Sequence, residues 1–462
     1  MCGVVATFGA DLDVAARGVA ALIHRGPDAD GLTSLGKVAL GHTRLAILDL
    51  DGRSDQPFAY GDVLLSYNGE LWNYLRVKAD LEALGKTFGT TGDTEVVAAA
   101  LDTWGVDALP RLNGMFALAW TVDGETLHLA RDRYGEVPLH LANQWPFCAA
   151  SEKKALLAMG AHPKAIEDVG PGERVEVTKQ GVRRMRWYDV PLTVLPDDLP
   201  TAATAVGRLI ENGAGERTIA DVPVCTLLSG GVDSAAVAAV LARRLPRLVA
   251  YTAVLDPKSA DLRCARQTAD YLGIELREVR VPVPTTDDLA RVIATIELPH
   301  KAQVEIGWAC LRLAEVIKGD GFKVTYSGEG SDELWASYGF AYHALQTQDW
   351  HAYRKELFLT QARKNFPRCN KVFMAHSVEC RLPFLHPPLV EYAIGLRQDA
   401  VQDGRARPKA VIQDAFIGAL PPDVLRRPKV AFQDGMGLKA AIAARLPAPE
   451  RFYRAEYATR FN

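Results

Sequence analysis

The strongest constraint on the fold is an alternation of apolar strand-like runs with helical patterns between about residues 222 and 327. The predicted strands are 222–228, 248–255, 275–281 and 323–327, and the predicted helices are 234–244, 261–272, 287–296 and 307–318. Such alternation builds βαβ units and a parallel, doubly wound sheet, which binds ligands beyond the carboxyl ends of its strands. We therefore expect an α/β domain here, with a mostly helical remainder from about Trp335 packed on it.

The first 190 residues have a different texture, with short strand-like runs separated by Gly, Asp and Pro turns. The predicted strands are 3–8, 38–47, 63–67, 116–121 and 127–131, and the clearest helical patterns are 75–84 and 93–104. This mixture predicts a layered α+β domain. The segment 190–200 contains three prolines and two aspartates and is typical of a linker. We expect domains at 1–190 and 200–462.

Composition excludes several classes of protein. The formal net charge of −3 gives no reason to expect a nucleic-acid partner, and no apolar run is long enough to predict a membrane span. The N-terminus has neither the basic nor the apolar region of a secretory signal. The seven cysteines form no CxxC pair and are expected to be reduced thiols. We expect a cytoplasmic protein.

A loop of serines, glycines and a carboxylate, Ser229–Ser234, lies between the first predicted strand and its helix. The paired glycines permit a tight turn whose N–H groups, with the helix N-terminus, form an anion cradle. The hydroxyls of Ser229 and Ser234 add donors, and Asp233 can hold Mg²⁺. The spacing predicts a pyrophosphate-binding loop.

A second loop, Ser327–Glu333, follows the last predicted strand and should open at the same edge of the sheet. Asp332 could then share the metal with Asp233, and Glu329 could face a reacting acyl carbon. The alternative interpretation is an acidic helix N-terminus, which the helix dipole favours in any protein.

Cys2 becomes the first residue once Met1 is removed. Its free α-amine can then act as a base for its own thiol, so that no histidine is needed to activate the sulfur. The alternative interpretation is a small buried residue at the start of a strand.

Polar motifs downstream supply the other parts of a site for cleaving the side-chain amide of glutamine. Arg44 lies on a predicted strand and suits the capture of a carboxylate. The side-chain amide of Asn68 and the N–H of Gly69 could form an oxyanion hole, and Asp93 could bind an ammonium group.

These motifs resemble the glutaminase domain of class II, N-terminal nucleophile amidotransferases, over residues 2 to about 190. The resemblance implies that Cys2 is the nucleophile and that Asn68 and Gly69 stabilise the oxyanion. The glutamine-binding residues that it implies are Arg44, Asn68, Gly69, Glu70 and Asp93.

The second half resembles the ATP-pyrophosphatase domain of asparagine synthetases, in the two loops and in segments 375–385 and 426–435. The resemblance implies catalytic roles for Glu329 and Lys429, and Mg²⁺ bound by Asp233 and Asp332. The ATP-binding residues that it implies are Leu227, Ser229, Gly230, Gly231, Asp233, Ser234, Val254, Ser327 and Gly328.

Together the resemblances imply a glutamine- and ATP-dependent amide synthetase that releases AMP and pyrophosphate. Ammonia would pass between the domains to an acyl-adenylate of a carboxylic acid, and aspartate is the expected acceptor. Relatives of this kind often pair as homodimers through the glutaminase domain.

The chain departs from the family between Leu298 and Ile306, where asparagine synthetases carry threonines and an arginine. An ungapped alignment puts Glu305 at the arginine position, and a carboxylate there would repel an anionic acceptor. The acceptor-specificity candidates are Gln303, Glu305, Glu379 and Arg381. The alternatives left open are aspartate bound through other residues, a different acid, an amine from a glutamine analogue, or a β-lactam synthetase-like cyclase. Retention of Cys2 and Arg44 disfavours the cyclase.

Overall fold

The computed structural model describes residues 1–428, 430 and 432–462. The N-terminal half contains twelve strands and four α-helices within the described residues. The strands are β1 (Gly3–Phe8), β2 (Ala29–Leu35), β3 (Val38–Arg44), β4 (Phe58–Tyr60), β5 (Val63–Leu71), β6 (Gly114–Thr121), β7 (Leu127–Arg131), β8 (His140–Ala142), β9 (Phe147–Ala150), β10 (Ile166–Asp168), β11 (Glu173–Thr178) and β12 (Gly181–Arg186). The helices are α1 (Leu12–Leu22), α2 (Tyr74–Ala83), α3 (Asp93–Trp104) and α4 (Lys153–Ala158).

These strands form two antiparallel sheets, ordered β10-β8-β9-β1-β3-β2 and β12-β11-β7-β6-β5-β4. Alternate side chains of β1 point to opposite faces, as the period of a strand requires. Val4 packs toward the second sheet in one core with Met115 of β6, whereas Val5 packs beneath α1 with Val19. Helices α2 and α3 cover the outer face of the second sheet. The predicted α+β layered domain is confirmed, with helices outside two facing sheets.

The C-terminal half begins after residues 187–198, which have no regular secondary structure. Its strands are β13 (Cys225–Leu227), β14 (Val249–Val254), β15 (Glu275–Arg280), β16 (Val324–Tyr326) and β17 (Glu379–Arg381). Its helices are α5 (Leu199–Glu216), α6 (Val232–Arg244), α7 (Ala260–Leu272), α8 (Thr286–Ile296), α9 (Lys301–Gly319), α10 (Ser331–Trp335), α11 (Ala341–Ala344), α12 (Trp350–Leu359), α13 (Asn365–Met374), α14 (Pro387–Gly395), α15 (Gln398–Val401), α16 (Ala410–Ala415), α17 (Pro422–Leu425), α18 (Phe432–Gly435), α19 (Leu438–Arg445) and α20 (Pro449–Phe461).

The strands of this half are all parallel. Strand β14 lies between β13 and β15, and β16 pairs with β17. A parallel bridge from Val224 to Val324 joins the two groups, so the spatial order is β15-β14-β13-β16-β17. The predicted parallel α/β sheet is confirmed. Because β13 and β16 are neighbours, the loops that follow them open side by side at one edge.

Two features of this half differ from the sequence prediction. Strand β17 was not predicted, because three residues leave too short a pattern to recognise. Helix α9 begins at Lys301, six residues earlier than the predicted 307, and therefore includes Gln303 and Glu305. Within the described part of the chain, no helix combines the length and apolar character needed to cross a bilayer.

Candidate active site

Cys2 lies at the start of β1, where the edges of the two N-terminal sheets approach each other. Its backbone N–H donates to Asn68 Oδ1 at 2.7 Å, and its Sγ lies 4.0 Å from the carbonyl oxygen of Leu45. A small cavity in front of Cys2 is also lined by the other residues predicted for glutamine, namely Arg44, Gly69, Glu70 and Asp93. The structure therefore brings the predicted nucleophile, oxyanion donors and substrate-binding residues into one place.

Burial raises the pKa of the Cys2 thiol, and the neighbouring N-terminal ammonium opposes this only in part. The resting sulfur is therefore a protonated thiol rather than a thiolate. Activation needs a base close to Sγ, and the α-amine exposed by removal of Met1 is suitably placed because it belongs to Cys2 itself.

The Arg44 guanidinium is already holding a carboxylate. Its Nη1 donates to Asp55 Oδ1 at 2.7 Å and to the Asp51 carbonyl at 2.8 Å, while Nη2 donates to the Asp49 carbonyl. The Asp55 side chain is about half exposed, at 45%. Its carboxylate occupies the position predicted for the glutamine carboxylate. Since the cavity measures only about 30 Å³, the loop carrying Asp55 must move before glutamine can bind.

Buried carboxylates line the opposite side of this cavity. Asp93 Oδ2 accepts hydrogen bonds from Tyr67 Oη and from the Leu71 N–H, both at 2.8 Å. Burial raises the pKa of both Glu70 and Asp93, and the nearby Glu379 carboxylate raises them further. Concentrated negative potential of this kind attracts an ammonium group, such as the α-ammonium of an amino-acid substrate.

Two residues predicted for acceptor specificity belong instead to this N-terminal site. Glu379 Oε2 accepts a 2.5 Å hydrogen bond from the Met1 ammonium, and Arg381 Nη2 lies 3.7 Å from Glu70 Oε2. Both residues are carried by β17, and neither lines the large cavity of the C-terminal half. The prediction was wrong because the sequence pattern did not reveal β17, which runs against the N-terminal sheets.

The predicted pyrophosphate loop has the expected geometry. Ser234 Oγ accepts from the Ser229 N–H at 3.0 Å and lies 3.0 Å from Ser229 Oγ, closing the turn ahead of α6. Gly230 has φ +79°, and a Cβ there would lie 2.2 Å from the Asp261 carbonyl oxygen. Only glycine fits this position, and Gly231 caps α6 so that the first N–H groups of the helix face the loop.

Lys409 joins the two carboxylates predicted to hold the metal. Its Nζ lies 2.5 Å from Asp233 Oδ2 and 2.5 Å from Asp332 Oδ1. The lysine ammonium is thus a cation shared by two converging carboxylates. Mg²⁺ commonly binds through one or two carboxylates together with substrate phosphates, so these residues fit it. Among the described residues no group of three or more metal-binding side chains occurs. No sequence motif indicated Lys409.

A cavity of about 570 Å³ extends from this loop beneath β13 and β16. Its wall confirms the predicted positions of Leu227, Ser327, Gly328 and Glu329. Val254 does not line it, because its carbonyl accepts a hydrogen bond from the Val281 N–H and stays within the sheet. The predicted catalytic Lys429 lies outside the described residues.

At the far end of the cavity, the guanidinium of Arg368 connects two of the predicted residues. Arg368 Nη2 donates to Glu329 Oε2 at 2.6 Å, and Arg368 Nε donates to Gln303 Oε1 at 2.8 Å. Gln303 in turn donates to Asn365 Oδ1 at 2.6 Å. Arg368 was missed because helix α13 carries no recognisable loop motif. It brings a buried cation to the region where an acceptor acid would lie.

Glu305 does not face this cavity. Successive residues of a helix turn by about 100°, so two residues on the same helix separated by two positions point in nearly opposite directions. Since α9 already includes both residues, Gln303 lines the cavity while Glu305 is buried on the other side, close to Tyr453. The predicted repulsion between Glu305 and an anionic acceptor therefore has no structural basis.

This placement predicts the behaviour of Glu305→Gln. Burial raises the pKa of Glu305 to about 7, so between pH 4.5 and 7 the unfolded chain ionises while the folded chain does not. Wild-type stability must fall across that window. The variant should be more stable at pH 8 by about 1 to 2 kcal/mol, after allowance for partial solvation. Urea unfolding at pH 4.5 and pH 8 measures this, and a large change in the KM of the acceptor would contradict the placement.

Comparisons with known proteins agree with the two sites. A family model described as glutamine amidotransferase domain matches residues 1–185, and one described as asparagine synthase matches residues 205–367 and 354–448. A solved glutamine phosphoribosylpyrophosphate amidotransferase from B. subtilis overlaps 60% of this chain and 65% of its own at 21% identity, with a TM-score of 0.37.

Curated relatives extend over nearly the whole chain. Asparagine synthetase [glutamine-hydrolyzing] 1 of Arabidopsis thaliana is 30% identical, covering 95% of this chain and 78% of that protein. A second such enzyme, from Oryza sativa subsp. japonica, is 31% identical with the same coverage. Asparagine synthetase B of Escherichia coli is 28% identical over 90% of this chain and 77% of its own. The chain therefore belongs to the glutamine-hydrolysing asparagine synthetase family.

Proposed function

We propose that the protein makes asparagine from aspartate, using the amide nitrogen of glutamine and the energy of ATP. One observation carries the proposal: a nucleophile site at Cys2 and a pyrophosphate loop at Ser229–Ser234 occur in one chain, with β17 between them. We assign the first activity to residues 1–190 and the second to residues 200–462. A pure glutaminase would not need the second site.

In the first half-reaction, the α-amine of Cys2 takes the thiol proton and the sulfur attacks the side-chain carbonyl carbon of glutamine. Asn68 and the Gly69 N–H stabilise the oxyanion. The ammonium returns the proton to the amide nitrogen, the carbon–nitrogen bond breaks, and ammonia leaves a thioester on Cys2. Water hydrolyses the thioester to glutamate and restores the thiol.

In the second half-reaction, an acceptor carboxylate oxygen attacks the α-phosphorus of ATP and pyrophosphate leaves. The hydroxyls of Ser229 and Ser234 and the N–H groups of the loop hold the departing phosphates. Magnesium, when bound by Asp233 and Asp332, would neutralise phosphate charge. Ammonia then attacks the acyl carbon, AMP departs, and the Glu329 carboxylate is placed to take the proton that the nitrogen loses.

Aspartate is supported as the acceptor by the charges of the cavity wall. Its non-reacting carboxylate needs a cation, and the Arg368 guanidinium and the exposed Lys364 ammonium both line the cavity. Its α-ammonium needs an anion, which Glu329 or Asp332 supplies. The buried Glu305 adds no opposing charge to this wall.

Product analysis tests the proposal. With Mg²⁺-ATP, glutamine and aspartate, we expect AMP, pyrophosphate, glutamate and asparagine in equal amounts. Cys2→Ala should lose glutamine-dependent synthesis but keep synthesis from ammonium chloride, and Cys264→Ala, remote from both sites, should keep both. Silence with aspartate but AMP release with another carboxylic acid would replace the proposed acceptor. Product formed by Cys2→Ala without any nitrogen source would indicate a cyclase.

Arg44→Ala tests the assignment of the glutamine carboxylate. Loss of a charge-assisted hydrogen-bonded pair costs about 1.5 to 3 kcal/mol, so the KM for glutamine should rise by about 10- to 150-fold. The rate with saturating ammonium chloride should stay close to that of the wild type. An unchanged KM for glutamine would show that Arg44 serves only to hold the loop at Asp55.

A further inference from the structure

Strand β17 carries a buried carboxylate that the mechanism above leaves without a role. Glu379 is inaccessible to solvent, and its Oε1 accepts a 2.7 Å hydrogen bond from Arg381 Nε. Its Oε2 accepts the 2.5 Å hydrogen bond from the Met1 ammonium. The carboxylate belongs to the C-terminal half and the amine to the N-terminal half, so this contact crosses between the two proposed domains beside the nucleophile.

The Met1 ammonium is chemically a substituted ammonia. It is a nitrogen with several N–H donors, held at a buried carboxylate one residue from Cys2. Removal of Met1, which the proposed mechanism requires, would leave that position to another small nitrogen donor. Glutamine cleavage at Cys2 produces such a molecule at the adjacent atom.

The electrostatics suit the acceptance of a hydrogen bond rather than a proton. Burial alone would raise the pKa of Glu379, but the Met1 ammonium and the Arg381 guanidinium outweigh it and lower that pKa. The carboxylate thus stays ionised and acts only as an acceptor. Arg381 balances its charge permanently, so a neutral ligand leaves no uncompensated carboxylate in the interior.

The surroundings lead from this position toward the large cavity. Asn370 Nδ2 lies 2.9 Å from Met1 Sδ, and Asn370 Oδ1 accepts from Arg25 Nη2 at 2.9 Å. Asn370 is on α13, two residues after Arg368, whose guanidinium contacts Glu329. The same helical turn therefore contacts the neighbourhood of Cys2 on one side and the acceptor cavity on the other.

We propose that Glu379, paired with Arg381 and flanked by Asn370, forms an interdomain binding site for the ammonia that leaves Cys2. The inference rests on the proposed function and assigns the site a ligand, neutral ammonia, that donates an N–H hydrogen bond to Glu379 Oε2. The site holds the nitrogen between its release from glutamine and its arrival at Arg368, where the acyl-adenylate would lie.

Glu379→Gln tests the site through the ratio of asparagine formed to glutamate formed. The amide leaves Arg381 uncompensated and replaces a charged acceptor with a neutral one, so the ratio should fall by about threefold or more. The maximal rate at saturating ammonium chloride should stay within about twofold of the wild type, because adenylation is untouched. An unchanged ratio in folded Glu379→Gln would overturn the proposal.

Glu297→Gln is the matched control. Glu297 is another fully buried interdomain carboxylate, paired with Lys371 at 2.5 Å and accepting from the N–H groups of Lys153 and Lys154. It has no contact with Met1 or Cys2 among the described residues, so its variant should keep the wild-type ratio even if stability falls. A comparable drop in this control would mean that any interface damage uncouples the reactions, which also overturns the proposal.

Glu379→Asp decides the matter if the glutamine variant does not fold. It keeps the charge beside Arg381 but withdraws the carboxylate by one methylene, so the ratio should fall while ammonium-driven synthesis persists. An unchanged ratio in this variant would contradict the site. Wild-type protein that forms no glutamate would refute the proposed function itself, which is a different result from unequal products.

Discussion

The association of the two halves depends on buried charges that meet their partners across the interface. The Met1 ammonium meets Glu379, Arg25 meets Asn370, and Lys371 meets both Glu297 and the imidazole of His140 at 3.1 Å. Removing one member of such a pair leaves an uncompensated charge in the interior, at a typical cost of about 3 to 5 kcal/mol. Each half therefore needs the other to satisfy its own charged groups.

This constraint bears directly on the chemistry. Ammonia released into water would be protonated, and an ammonium ion has no lone pair with which to attack an acyl carbon. An interface that already excludes water and pairs its charges offers the nitrogen a route on which it stays neutral. Strand β17 and helix α13 supply that route, because β17 bears Glu379 beside Cys2 and α13 bears Arg368 beside Glu329. The buried pairs thus support both the assembly of the halves and the transfer.

The sequence was most informative where function needs short contiguous patterns. The Ser229–Ser234 loop could be predicted because a strand, a glycine turn and a helix follow one another directly, and Cys2 could be predicted from its position alone. Glu305 was misplaced because the start of α9 was set six residues too late, which hid the opposite orientations of Gln303 and Glu305. Lys409 and Arg368 could not be found, since long-range packing alone brings each of them to its carboxylates. Glu379 was recognised as special but assigned to the wrong site.

The central claim is that nitrogen passes from Cys2 to the acceptor cavity inside the protein. The most direct measurement supplies glutamine labelled with ¹⁵N at its side-chain amide, together with aspartate, Mg²⁺-ATP and an excess of unlabelled ammonium chloride. Mass spectrometry of the asparagine then reports the origin of its amide nitrogen. The account predicts that nearly all of the product formed by the glutamine-dependent reaction carries ¹⁵N. Label diluted to the isotopic composition of the bulk ammonium would contradict it.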